Sequence, residues 1–231
     1  MGRETDHRNV KNRRRYAVTA WFYDILDYPW EQDYRNWRPK LVGDLRGAVL
    51  EAGVGTGRNL EYYHPDVELT AIDLSPDMLR IAARRKAKAK CRVTLMQEDA
   101  CKMDKLGSGQ FDWVVATFLC CVVPAALQEQ AIQQIERVLK PGGRFRLLEM
   151  VYSKDPALRK RQDFFAPFVK LVYGAGFDRD TLSHVKNSRL LEVTKTGFLK
   201  HDTYLLIEGV KRTLPAEQAC GGRLNKPKEK S

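Results

Sequence analysis

From Gly47 onward the chain alternates short apolar runs with stretches of helical periodicity. Strand patterns fall at Ala48–Ala52, Glu68–Asp73, Arg92–Gln97, Phe111–Thr117 and Arg144–Val151, with two more near Leu190–Phe198 and Tyr204–Lys211. Between them the spacing predicts a short helix near Asn59–Tyr63, then helices over Pro76–Lys90 and Ala125–Leu139, and a helical stretch from Pro156 to Tyr173. Lys140-Pro141-Gly142-Gly143 reads as a helix stop followed by a tight turn. Alternation of this kind implies an α/β fold, with parallel strands and helices on both faces of the sheet.

Ahead of that region, Tyr16–Asp27 has amphipathic periodicity, Pro29 interrupts it, and a second helix is expected over Trp30–Leu45. The segment is rich in aromatic residues: Trp21, Phe22, Tyr23, Tyr28, Trp30, Tyr34 and Trp37. Such rings can pack on a sheet or form a lid over a flat ligand. The expected organisation is a basic tail (1–15), a helical lid (16–46), one α/β domain (47–212) and a second basic tail (213–231).

Charge changes the picture mainly at the ends. Of the net +11, residues 1–15 contribute six basic and two acidic side chains, and residues 221–231 four basic and one acidic. One reading is solubilising tails; the other is a basic skirt for anionic lipid headgroups or nucleic acid. Arg80 to Arg92 is also basic, and reads as the solvated face and C-terminal end of a helix. No apolar run reaches the roughly 20 residues of a membrane helix, and the polar N-terminus lacks the apolar core of a secretory signal. The five cysteines have no C-x-x-C spacing, so reduced thiols in a cytoplasmic setting are expected, with no metal site.

The chemistry concentrates in VLEAGVGTGRNL (Val49–Leu60) and AIDLSPDML (Ala71–Leu79). A strand ends in Glu51 and opens into Gly53, Gly55 and Gly57, and the next strand ends in Asp73. That is a nucleotide-type site, with a glycine turn that admits a ligand close to the backbone and a carboxylate placed for ribose hydroxyls. A dinucleotide fingerprint needs glycine where Arg58 stands, and Glu51 would repel a pyrophosphate. Both features suit S-adenosylmethionine (SAM), which carries an ammonium and a sulfonium and no phosphate.

With E-D-A (Glu98–Ala100), FDWVVATFL and RVLKPGGRF following in order, residues 49–150 resemble the class I SAM-dependent methyltransferases. The resemblance implies a Rossmann-like sheet of seven mostly parallel strands, closed by an antiparallel pair. It also implies site roles. Glu51 would act on the amino-acid end of SAM, directly or through a water, with the Gly53 and Gly55 backbone beneath it and Gly57 permitting the turn. Asp73 would hold the ribose, Leu74 and Met78 would face the adenine, and Asp99 with the Ala100 amide would read its edge. Thr117 to Cys121 would lie at the methyl-transfer face. That stretch has no N-P-P-Y box and no Pro-Cys pair, which counts against nucleic-acid bases as acceptors. Methyl transfer needs alignment more than proton chemistry, and the candidate bases Tyr23, Asp24, Glu149 and His184 are weak.

FYDILDY and RVLKPGG resemble UbiE-type quinone C-methyltransferases. Gly55 to Tyr63 and Thr117 to Cys121 are similar to alkyl thiol S-methyltransferases, and the basic termini and aromatic lid to bacterial phospholipid N-methyltransferases. All three imply a small lipophilic or amphiphilic acceptor. The alternative outside enzymes is a non-catalytic SAM-binding regulatory subunit.

Overall fold

The computed structural model describes residues 28–213. The anticipated helix over Tyr16–Asp27, the candidates Tyr23 and Asp24, and the two basic tails up to Arg15 and from Leu214 onward lie outside the described residues.

Helix α1 (Tyr28–Val42) precedes a seven-stranded sheet. The strands are β1 (Gly47–Ala52), β2 (Val67–Asp73), β3 (Arg92–Gln97), β4 (Phe111–Thr117), β5 (Leu139–Met150), β6 (Leu191–Phe198) and β7 (Tyr204–Lys211). Their spatial order is β3-β2-β1-β4-β5-β7-β6, and β7 alone is reversed relative to the other six strands. Helices α2 (Pro76–Arg85), α3 (Gln128–Val138), α4 (Pro156–Val172) and α5 (Thr181–Lys186) complete the Rossmann-like fold.

The central strands are apolar on both sides because both faces are covered. Successive side chains point to opposite faces, so Leu50, Val114, Ala116 and Leu147 join one core with Ile132 and Ile135 of α3. Val49, Val115 and Leu148 join the other, with Trp37, Leu41 and Val42 of α1 and Ala82 of α2. Buried Arg146 of β5 fixes α1 against the sheet. It donates to the Leu41 carbonyl at 2.7 Å and pairs with Asp44 at 2.8 Å and Glu208 at 2.6 Å. A cation there also satisfies the carbonyl end of α1.

Local chemistry sets the boundaries and accounts for departures from the sequence reading. Pro29 sits in the first turn of α1, where its missing N–H costs nothing, and α1 begins at Tyr28, ahead of the anticipated Trp30. That helix stops at Val42, ahead of the anticipated Leu45. Ser75 caps α2 by accepting from Met78 N–H, with Pro76 in the first turn. The helix expected to reach Lys90 stops at Arg85, and a 3-10 turn (Lys86–Lys88) follows. The helix expected near Asn59–Tyr63 is a single 3-10 turn, Leu60–Tyr62, and the one expected from Ala125 begins as a 3-10 turn before α3. Lys140–Gly143 does not separate helix from strand. β5 already starts at Leu139, and the four residues form a bulge between the Phe111–Leu139 and Trp113–Arg144 pairs. Helix α5 has no counterpart among the expected elements.

Candidate functional site

The chain leaves β1 for β2 and β3 on one side, then returns to β4 and β5 on the other. The C-terminal ends of β1 and β4 therefore flank the switch point where open α/β sheets bind ligands. A cleft lies there, walled by Gly53–Thr56, Asp73, Leu74, Met78 and Glu98–Cys101 on one side. Thr117–Leu119, Val122–Pro124, Tyr34, Trp37 and Arg38 wall the other.

The Ile72 carbonyl accepts the Gly53 and Val54 N–H groups, both at 2.9 Å, which fastens the glycine turn to the end of β2. Asp73 closes the turn: Gly55 N–H donates to its Oδ2 at 2.9 Å and Ser75 N–H to its Oδ1 at 2.8 Å. Burial pushes its carboxyl up to about 6 against those two amides. Each oxygen keeps a lone pair for a ligand hydroxyl at the cleft wall. Gly55 has φ +54°, and a Cβ there would meet nothing within 4 Å, so the backbone faces open space. At Gly57 (φ +80°) a Cβ would lie 3.0 Å from Ala82 of α2, so this glycine permits the turn and the close helix without reaching the cleft.

At the end of β3, Asp99 Oδ1 accepts Cys101 N–H at 2.8 Å and Glu98 Oε1 accepts Asp99 N–H at 2.9 Å. Asp99, Ala100, Leu74, Met78 and Thr117 all line the cleft, as Gly53 and Gly55 do.

Glu51 does not line it. Its carboxylate is 1 % exposed and accepts Asn59 Nδ2–H at 2.7 Å and the Tyr63 hydroxyl at 3.0 Å. Asn59 also reaches Thr117 Oγ1 at 3.2 Å and is itself a wall residue. Glu51 thus meets the cleft through Asn59. Burial raises its pKa to about 7, opposed by those hydrogen bonds and by the Arg38 charge.

Two of the anticipated bases stand apart from the cleft. Glu149 is buried behind the wall, and its oxygens accept Cys120 N–H at 2.9 Å and Cys121 N–H at 2.8 Å. It holds the loop after β4 and does not line the cleft. His184 lies on α5, which packs on α3 and β6, and it does not line the cleft. Cys120 and Cys121 are fully buried, and burial together with the Glu149 charge pushes both thiols well above the ordinary range, so neither is a nucleophile.

Phe118, within the Thr117–Cys121 stretch, adopts φ +58°, strained for a residue with a Cβ. Its ring lies 5.3 Å from Tyr34 and 6.0 Å from Tyr204, and the Trp37 ring lies tilted at 4.9 Å from Tyr204. Arg38 and Asn59 are polar wall groups to which the sequence reading gave no role; Arg38 lay beside the aromatic segment and Asn59 within the Gly55–Tyr63 stretch.

Comparison with known proteins agrees with this architecture. Residues 49–143 match the family described as "Methyltransferase domain". The chain is 35 % identical over 132 residues to a ubiquinone/menaquinone biosynthesis C-methyltransferase UbiE from Syntrophotalea carbinolica, covering 54 % of each. It is 34 % identical over 112 residues to the human thiol S-methyltransferase TMT1A, covering 46 % of this chain and 44 % of the relative. To a phosphatidylethanolamine N-methyltransferase from Cereibacter sphaeroides it is 39 % identical over 135 residues, covering 58 % and 63 %. The chain spans about half the length of the curated relatives it matches.

Proposed function

We propose that this chain, which carries a methyltransferase domain of the class I, SAM-dependent kind, transfers a methyl group from SAM to a small lipophilic or amphiphilic acceptor. The observation that carries the reading is Asp73, a carboxylate at the end of β2, set at the cleft wall beside the open backbone of Gly55.

The residues suit the cofactor. Asp73 accepts from the ribose hydroxyls, Leu74 and Met78 cover the adenine, and Asp99 with the Ala100 amide meets its edge. The amino-acid end is zwitterionic, and the wall offers both signs: the Glu51 charge delivered through Asn59, and the Arg38 guanidinium. Bound there, SAM supplies a methyl group already activated by a sulfonium. Phe118, Tyr34, Trp37, Leu119 and Val122 make the other wall apolar, which favours a flat or aliphatic acceptor and excludes water. Among the described wall residues none is placed as a dedicated base, so the chain acts by alignment on an acceptor that ionises readily.

Relatives named for quinone, thiol and phospholipid chemistry support a lipophilic acceptor and leave three candidates. C-methylation of a demethylated quinone is the first reading, favoured by the aromatic wall. Titration calorimetry with SAM and its demethylated product, followed by turnover on a demethylated quinone, an alkyl thiol and phosphatidylethanolamine, tests it. Binding with turnover of one acceptor confirms the proposal. Binding without turnover on any lipophilic acceptor favours the regulatory subunit, and failure to bind either form refutes the SAM site.

A further inference from the structure

Helix α4 is 17 residues long and has no buried residue. Among the described residues the exposed large hydrophobic side chains are Phe164 (78 %), Leu171 (71 %), Phe165 (52 %), Phe198 (50 %) and Phe168 (46 %), and four of these five belong to α4. Helical spacing sets them in adjoining rows. Lys160, Phe164, Phe168 and Leu171 form one row, and Arg161, Phe165 and Phe168 form the next. Each row therefore begins with an exposed cation and continues with exposed apolar side chains. The one acid of the helix, Asp163, lies off these rows and pairs with Arg159 at 3.4 Å.

The root of the helix is fixed. Asp155 caps it by accepting Ala157 and Leu158 N–H. Gln162 links it to the end of β5, accepting Ser153 N–H at 2.8 Å and donating to the Val151 carbonyl at 3.0 Å. These bonds leave the rows of Phe164 and Phe165 facing outward. The placement is also directional. α4 starts just past the C-terminal end of β5, and Phe198 ends β6, which the antiparallel pairings bring to that same edge of the sheet. The cleft opens along this edge.

We infer that α4 is a membrane-docking helix that seats its phenylalanines in an anionic lipid surface, with Lys160 and Arg161 meeting the headgroups. A surface helix with aromatic and aliphatic side chains beside cations has the composition of an interfacial anchor. The helix carries four basic side chains against one acid, in a chain of net +11. That charge attracts an anionic bilayer and opposes a symmetric contact with a second copy, which would bring like charges together. Docking would present the cleft edge to the phase that holds a lipophilic acceptor. It deepens the proposed function in that respect, while α4 itself binds with or without turnover.

The test is co-sedimentation of the full chain with vesicles of phosphatidylcholine alone and of phosphatidylcholine with phosphatidylglycerol, at low and high salt. The wild type should bind the anionic vesicles, less so at high salt. Phe164→Ser/Phe165→Ser/Phe168→Ser and, separately, Lys160→Glu/Arg161→Glu should each lower partitioning at least tenfold. SAM affinity by calorimetry, or the melting temperature where SAM does not bind, should be unchanged in both. A wild type that ignores anionic vesicles, or a triple variant that binds like it, overturns the inference. So does a triple variant with altered oligomeric mass or melting temperature and intact vesicle binding, since another part of the protein would then cover the helix. Vesicle binding without methyl transfer would sink the proposed function and leave α4 standing.

Discussion

Asp73 at the end of β2 and Glu149 near the end of β5 each accept two backbone N–H groups at 2.8 to 2.9 Å, Asp73 from the glycine turn and its own following residues, Glu149 from the loop after β4. Burial raises both, to about 6 and about 7. They differ in what lies on the other side. Asp73 stands in the cleft wall with acceptor capacity toward the cleft, whereas Glu149 is 1 % exposed and closed in by the loop it holds. The same carboxylate–amide device faces an open cleft in one region and a closed loop in the other. A strained or titrating acid is a site only when its free lone pairs have somewhere to point.

The largest expected effect separates the two by alanine substitution. Glu149→Ala leaves the buried Cys120 and Cys121 amides without an acceptor, which should cost about 3–5 kcal/mol in urea unfolding. Asp73→Ala exposes its amides to a cleft that water enters, so stability should fall by about 1 kcal/mol. Its SAM affinity should drop about a hundredfold, the loss of charge-assisted bonds to two hydroxyls. Equal stability losses with unchanged SAM affinity for Asp73→Ala would erase the distinction drawn here.

That distinction is also where the sequence stopped being informative. The apolar strand runs, the helix start at Pro76 and the glycine turn were legible because each is decided by neighbours within a few residues. Glu149 was not. An acid at a strand end reads alike whichever way the neighbouring loop folds, and here the loop after β4, which begins at Phe118 with a positive φ, turns its amides onto Glu149. His184 failed for a similar reason, since the short helix α5 has too few periodic positions to reveal its packing face. Arg38 and Asn59 reach the cleft through tertiary placement of α1 and the 3-10 turn, which no local pattern encodes.

A pH series sharpens the comparison through a third buried acid. Glu51 and Glu149 are both raised from 4.5 to about 7. The folded state holds their protons where the unfolded chain has released them, so their contribution is complete below pH 4.5 and is lost as pH rises through about 7. Stability should therefore decline from pH 5 to pH 8, by on the order of 3 kcal/mol per group. Glu51→Gln should flatten this slope and keep the fold, because an amide can accept from Asn59 and donate to the Tyr63 hydroxyl. Glu149→Gln should destabilise at every pH, since its amide nitrogen would face an N–H donor. Melting temperatures across the range decide it, and parallel slopes for wild type and Glu51→Gln would refute the role of that buried charge.

The smallest effect comes from two glycines that look alike locally. Gly55 and Gly109 have φ +54° and +64°, and an added Cβ meets nothing within 4 Å at either. Alanine should cost each about 1 kcal/mol of backbone strain, visible as matched small drops in melting temperature. Gly109 precedes β4, at the sheet edge away from the cleft, and its N–H is bound to the Arg137 carbonyl. Gly55 passes through the cleft wall, where a methyl group occupies ligand space. Gly55→Ala should then lose about tenfold in SAM affinity, roughly 1.4 kcal/mol, while Gly109→Ala binds as wild type. If both variants bind SAM equally, the open backbone at Gly55 is a turn requirement alone, and the ligand does not approach it.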